Sequence, residues 1–567
     1  VSWSDSVVQS EEMRPELEWW VDLVNVHEMA HSYFGDAIVC RDFAHAWLKE
    51  SWATYIEQCW GDHTGGRDAA AYLFYLQAQH YFRETERYQR PIITRRYQSS
   101  WDLYDAHLYE GGACRLHTLR CELGDDLFWA ATRDYLRRYY GQVVETDDFR
   151  AVMEEHSGRS LGKFFDQWFR TPGFPDLKVS FEYDEQRHEG TFTVEQKQVD
   201  REKGIPAFEL TTEVEWSVGD ETTRRRIRLS EPRHIFAFPM PAKPARVRFD
   251  PDCRVLHRLE FNPGASMLRS QLLNDPNVVG RILAAQTLLK TSTRANIESV
   301  VDAFEQEPFW GARCEFAAAL GKADHQTAIH GLARLIQAEQ EPRVLVALLR
   351  AAAAYRDAGL LRAVEERLQT GLRPLARQAA YIALGAQRHQ APLALLTAAA
   401  GQPTPDGRVQ AGAFQALGET RQLDALPILQ TKAAYGGSPN RTRPAAVAAL
   451  AALGKSQERA TRDAVAEQLI DLLRDPWPPV AWAAARGLAA LAAPAAADAL
   501  DAFGRALSAQ ERAEVDRLVA ALRQEDKLDG SAVKKEVEEL RDKLRKLEDQ
   551  VQTLSARLDA GAPALNS

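Results

Sequence analysis

A helical phrase that recurs through the rear half of this chain sets the strongest limit on its fold. After Pro263 an Arg, a few Ala and a closing Leu-Gly return as Arg313…Leu320-Gly321, Arg377…Leu384-Gly385, Leu417-Gly418 and Leu453-Gly454, with a looser copy around Asp475–Leu491. The spacing of about 30 to 38 residues, with several copies opening on Pro after an acidic residue or Arg, is the rhythm of paired-helix solenoid repeats. Each unit of such an array buries its apolar face only against its neighbours, so one compact core is excluded. Length agrees, since 567 residues correspond to about three to five domains.

Composition separates the halves further. Nine of the thirteen tryptophans precede residue 170, whereas about 265 to 525 is dominated by alanine and leucine. Helical patterns cover 15–35, with Pro15 near the first turn and Gly35 just past the end, then 46–60, 68–84, 107–123, 125–140, 147–156 and 161–169. From Lys178 the period becomes two: Val179/Phe181/Tyr183, Phe192/Val194, Val214/Trp216/Val218, Ile227/Leu229 and Val247/Phe249 alternate with polar residues as half-buried strands do. This predicts a small β-sandwich, with the Pro-rich stretch 239–244 as a loop crossing between its sheets. In the tail, Val533, Val537, Leu540, Leu544, Leu547, Val551, Leu554 and Leu558 step by alternating four and three residues. That is a coiled-coil seam, and it predicts a homo-oligomer or a partner helix through 531–560. The solenoid phrase itself resembles HEAT repeats. The expected organisation is multidomain and mainly α: a helical front domain at 1–175, a β-sandwich at 176–262, a HEAT-like helical repeat domain at 263–527 and a coiled-coil tail at 531–560.

Several functional classes drop out. No uncharged apolar stretch reaches the roughly 18 residues of a membrane-spanning helix. Six cysteines, at 40, 59, 114, 121, 253 and 314, form no Cys-x-x-Cys pair and are too sparse for a disulfide scaffold, so a reducing compartment is expected. A net charge of −10 disfavours nucleic acid, and the basic run Arg224-Arg225-Arg226 lies inside strand-like alternation. The opening Val-Ser-Trp-Ser-Asp-Ser has neither the basic start and apolar centre of a signal peptide nor an initiator methionine, so a fragment or processed product in the cytoplasm is expected.

The chemistry concentrates in His27-Glu28-Met29-Ala30-His31. A four-residue separation puts both imidazoles on one helical face, close enough to share a metal ion, with Glu28 one position on from the first. Catalytic zinc takes three protein ligands and leaves one position for water. Glu50, nineteen positions after His31 in Trp47-Leu48-Lys49-Glu50-Ser51-Trp52, offers the third from a second helix that crosses the first after the turn at Gly35–Asp42.

The text HEMAHSYFGDAIVCRDFAHAWLKESWATYIE resembles the aminopeptidase N family of gluzincin zinc peptidases, relatives of leukotriene hydrolase. It shares that family's spacing from the His pair to a Glu before Ala-Thr-Tyr. Tyr109-Glu110-Gly111-Gly112-Ala113 resembles the family's Tyr-x-x-Gly element. Phe164-Phe165-Asp166-Gln167-Trp168, with Pro172-Gly173-Phe174-Pro175, resembles the close of its catalytic domain. The resemblance implies a thermolysin-like catalytic domain whose N-terminal part is missing here, and one Zn2+ per chain held by His27, His31 and Glu50. It also implies Glu28 as general base, Tyr109 as the donor that stabilises the oxyanion, and an aminopeptidase removing N-terminal residues from peptides. Three departures stand out. The family's Gly-x-Met-Glu-Asn is not among the 26 residues before His27, Lys49 stands where Asn is common, and Gly111 stands where Lys or another polar residue is common.

Two other functions compete: an interaction scaffold that joins a peptidase-like fold to helical repeats, and a zinc endopeptidase. Tyr104 lies five residues from Tyr109 and is its rival. His45, His107 and His117 read as packed or solvent-facing, and Trp19-Trp20 and Tyr139-Tyr140 as core of the catalytic domain.

Overall fold

The computed structural model describes residues 7–524, apart from 201, 203, 204 and 510, together with Leu540, Lys543, Leu544 and Leu547. The expected coiled coil otherwise lies outside the described residues. The chain forms two compact units that divide after Ala376.

The first unit opens with α1, Arg14–Ala30, which has Pro15 in its first turn. The sequence pattern predicts helix as far as residue 35, but the helix stops at Ala30. The amides of Tyr33 and Phe34 both turn back to the Ala30 carbonyl, and Gly35, at φ +134°, then reverses the chain. A short strand follows, β1 at Ile38–Cys40, and pairs in parallel with β2 at Gln142–Val144. Helix α2 runs Trp47–Thr85 and joins the two helices expected at 46–60 and 68–84 across a kink at Gly66 (φ 73°, ψ −171°). A π-turn at His107–Gly111 leads into α3, Gly112–Leu123. Helices α4, Asp125–Arg138, α5, Thr146–Ser157, and α6, Gly162–Phe165, complete this layer.

These elements close on aromatic rings. Trp52 stacks on Phe34 with centroids 4.4 Å apart and meets Phe128 at 5.6 Å and Phe149 at 5.8 Å. Trp47 lies 4.3 Å from Phe169. Removing one such ring costs about 3–5 kcal/mol, so this core fixes where α2 lies. Two expectations are corrected here. Trp19 packs on Trp310, 5.4 Å away in the first solenoid helices, rather than in the aromatic core. Tyr140 lies past the end of α4 and is 73% exposed.

The β-sandwich comprises β3, Asp176–Asp184, β4, Glu189–Gln196, β5, Leu210–Val218, β6, Glu221–Leu229, β7, Arg233–Pro239, β8, Arg246–Phe249, and β9, Arg258–Phe261. One sheet has the order β7-β4-β3-β9 and the other β6-β5-β8, so the segment after Pro239 crosses between sheets. Trp216 of β5 stacks on Phe238 of β7 across the gap at 5.2 Å.

The solenoid begins with α7, Ala265–Asn274, α8, Val278–Leu289, α9, Arg294–Gln306, α10, Trp310–Leu320, α11, Gln326–Ala338, α12, Pro342–Ala352, and α13, Ala358–Leu368. Helices α8, α10 and α12 stack in one row and α9, α11 and α13 in another. The recurring Leu-Gly has a physical reason. Leu320 is fully buried, and a Cβ on Gly321 would come within 3.0 Å of the Ala351 backbone in the next repeat. In the second unit, α-helices from Leu393–Gly401 to Ala497–Arg505 continue the pattern, and Gly418 meets Ala449 in the same way.

Candidate active site

Helix α1 carries His27, Glu28 and His31, α2 carries Glu50, and the π-turn carries Tyr109. The two imidazole centroids lie 4.9 Å apart. Glu50, only 4% exposed, brings Oε2 to 3.5 Å from His27 Nε2 and 3.3 Å from His31 Nε2. Among the described residues these three form a group whose ligand atoms all lie within 4.8 Å of one another. Ligands about 2.0–2.1 Å from a zinc ion sit about 3.3–3.5 Å apart along tetrahedron edges, so the donor set and its spacing fit that ion.

Hydrogen bonds behind the rings set their tautomers. His31 Nδ1 lies 2.9 Å from the Phe34 carbonyl. A carbonyl only accepts, so Nδ1 carries a proton and Nε2 is the atom turned toward Glu50. His27 Nδ1 lies 2.8 Å from Glu57 Oε1 and is fixed in the same way. Both Nε2 atoms then face an anionic oxygen, an arrangement that requires a cation or a proton between them. Glu57 was not among the residues singled out from sequence. Its signal was there, because it follows Glu50 by seven residues, two turns along the same helical face.

Lys49 takes up the other half of the Glu50 carboxylate, with Nζ 3.0 Å from Oε1, and also donates to the Tyr104 hydroxyl at 3.0 Å. Hydrogen bonds from both histidines and the Lys49 charge outweigh burial and hold the Glu50 carboxyl well below the usual carboxylate range. Tyr104 is thereby engaged. The Tyr109 ring, 5.9 Å from the His27 ring, belongs to the other tyrosine expected near the site. Burial, and then the negative charge of Glu50, push the Tyr109 phenol far up, so it remains a proton donor. Glu28 is half-buried and makes no side-chain hydrogen bond or ion pair among the described residues.

The glycine pair after Tyr109 is dictated by contact. A Cβ on Gly111 would lie 2.9 Å from the Tyr81 ring, and one on Gly112 would lie 1.9 Å from Ser51 Oγ. Gly111 therefore stands where a longer side chain has no room. The other three histidines singled out from sequence are packed: His45 is buried with Nδ1 2.9 Å from Thr146 Oγ1, His107 is fully buried, and burial brings His117 down to about 4.

Residues 7–168 match the Peptidase family M1 domain, and residues 297–385 match HEAT repeats. The chain is 26% identical over 178 residues to aminopeptidase N of Haemophilus influenzae, covering 31% of this chain and 20% of that protein. It is 29% identical over 168 residues to aminopeptidase N of Caulobacter vibrioides, covering 29% and 19%. It thus spans about one fifth of the length of these curated relatives. Among solved structures, aminopeptidase A of Legionella pneumophila in complex with aspartic acid aligns with 91% of this chain and 67% of that one. The TM-score there is 0.61 at 14% identity, a likeness of fold.

Proposed function

We propose, from the premise that this chain carries a peptidase family M1 domain over residues 7–168, that it is a zinc-dependent aminopeptidase acting on peptides. The observation that carries this reading is the spacing of His27, His31 and Glu50, whose facing atoms stand 3.3 and 3.5 Å apart with both imidazole tautomers fixed from behind. Zinc held by His27, His31 and Glu50 would supply Lewis acidity, enough to bring the pKa of a water down to about 7 and to polarise a peptide carbonyl. Glu28, adjacent to His27 and uncommitted, accepts the proton of the attacking water and returns it to the departing amine. The Tyr109 hydroxyl donates to the oxygen that gains charge. Lys49 keeps Glu50 ionised and turned so that a single oxygen faces the histidines.

No described helix is long and apolar enough to cross a membrane. Two measurements test the reading in the full chain. Glu28→Gln is expected to lower hydrolysis of aminoacyl fluorogenic substrates by several orders of magnitude while leaving metal content unchanged, and an unaltered rate would refute the base assignment. Zinc by mass spectrometry is expected near one per chain, whereas less than about 0.2 after chelator-free purification favours the scaffold alternative. Equal cleavage of N-acetylated and free peptides would favour an endopeptidase.

A further inference from the structure

We propose that Arg115 is a positioning residue for this site, holding the π-turn in the register that faces Tyr109 toward the histidines. The proposal deepens the aminopeptidase reading and rests on it for the role of Tyr109. Arg115 is 1% exposed, yet none of its described hydrogen bonds goes to a carboxylate. Burying a guanidinium is costly unless its donors are met. Here they are met by main chain and one phenol: Nη1 donates to the Gly111 carbonyl at 2.7 Å, and Nη2 to the Gly173 carbonyl at 2.7 Å and the Tyr81 hydroxyl at 2.9 Å. Nε donates to the Trp168 carbonyl.

The location gives these bonds their meaning. Gly111 is the last residue of the π-turn, and its amide reaches back five residues to the Ala106 carbonyl at 2.7 Å. A π-turn accommodates one residue more than an α-turn, so relaxing it to α geometry rotates the side chains on it by about 100° per residue displaced. The start of the turn is held by Asp105, whose Oδ1 accepts from the amides of His107 and Leu108 at 3.0 Å and which Arg90 pins. Its flank is held by Ser51 Oγ, which donates to the Leu108 carbonyl at 2.6 Å. At the closing end His80 Nδ1 meets Glu110 Oε1 at 2.6 Å on the exposed side, and among the described side chains Arg115 is the one that bonds the Gly111 carbonyl from the buried side. It ties that end to Trp168 and Gly173, in the segment that closes the catalytic layer. It also braces Tyr81, whose ring leaves no room beyond a glycine at 111. A five-donor planar fork is needed for this geometry, and a lysine cannot reproduce it.

The test is a double-mutant cycle in the full chain with zinc bound. Arg115→Gln is expected to lower kcat about tenfold or more with KM within about twofold and zinc content unchanged. In the Tyr109→Phe background the same change is expected to cost less than about twofold, because the residue acts through Tyr109. Equal losses in both backgrounds overturn the proposal. A readout independent of turnover is the 19F resonance of 3-fluorotyrosine placed at position 109. Arg115→Lys is expected to shift or split it while the melting temperature stays within a few degrees, and an unmoved resonance overturns the proposal. A moved resonance in a chain that hydrolyses no peptide leaves the positioning role standing and refutes the aminopeptidase reading instead.

Discussion

The two imidazoles and three carboxylates around α1 are balanced for positive charge. Burial pulls the His27 imidazole down, but hydrogen bonds to Glu50 and Glu57 outweigh it and hold its pKa at about 9 in the metal-free chain. The folded value exceeds the unfolded 6.5, so this proton stabilises the metal-free fold in full below pH 6.5. That contribution, on the order of 3 kcal/mol, is lost as pH rises through about 9. Melting of chelator-treated protein is therefore expected to fall between pH 6.5 and 9. The fall is expected to shrink in Glu57→Gln, and a flat profile in the unmutated chain would contradict this account. At this scale the sequence was readable where chemistry repeats at helical spacing. His27, His31 and Glu50 could be named in advance, whereas the tautomers depend on the Phe34 carbonyl and Glu57, whose approach only the folded turn after Ala30 determines.

At the scale of elements, the link between the proposed metal ligands and Tyr109 is a close approach of two backbones. Ser51 follows Glu50 on α2, and its Oγ touches both the Leu108 carbonyl and the space above Gly112. Gly112→Ala is expected to destabilise the chain by about 1–3 kcal/mol through overpacking. Adding Ser51→Gly is expected to recover part of that, less about 1 kcal/mol for the lost hydrogen bond. Denaturation midpoints of the four variants check this, and strictly additive losses would sink it. Periodicity foretold most helices and five strands. It missed β1 and β2, three residues each, which pair only with one another, β7, whose residues are largely exposed, and β9, four residues that become a strand only by pairing in parallel with β3. The π-turn was likewise illegible, because Tyr81 and Ser51, distant in sequence, create the need for its glycines.

Within the first unit, the solenoid helices brace both α1 and α2, which carry the proposed ligands. Glu16, at the start of α1, accepts from the amides of Leu375 and Ala376 at 3.0 and 2.8 Å. Asp68 of α2 pairs with Arg281 at 2.9 Å. Composition divided the chain near residue 263, yet Trp19, expected inside the front domain, packs on Trp310 across that line. A boundary read from residue usage therefore does not mark an energetic one. Glu16→Ala leaves two buried amides unpaired and is expected to cost about 1–3 kcal/mol while zinc content is retained. Calorimetry is expected to register that loss in the same transition that melts the aromatic core, and a separate transition for residues 263–376 would contradict the bracing.

The grip of Lys49 on one oxygen of Glu50 has a consequence for ion selectivity. With that oxygen committed, the protein offers two nitrogens and one oxygen, a small mixed set. Calcium, which wants six to eight oxygens, and magnesium, which demands an oxygen octahedron, find too few partners of the right kind. Zinc, satisfied by three protein atoms and a solvent molecule, does not. A lysine outside the donor set thus helps decide which metal the proposed site would accept.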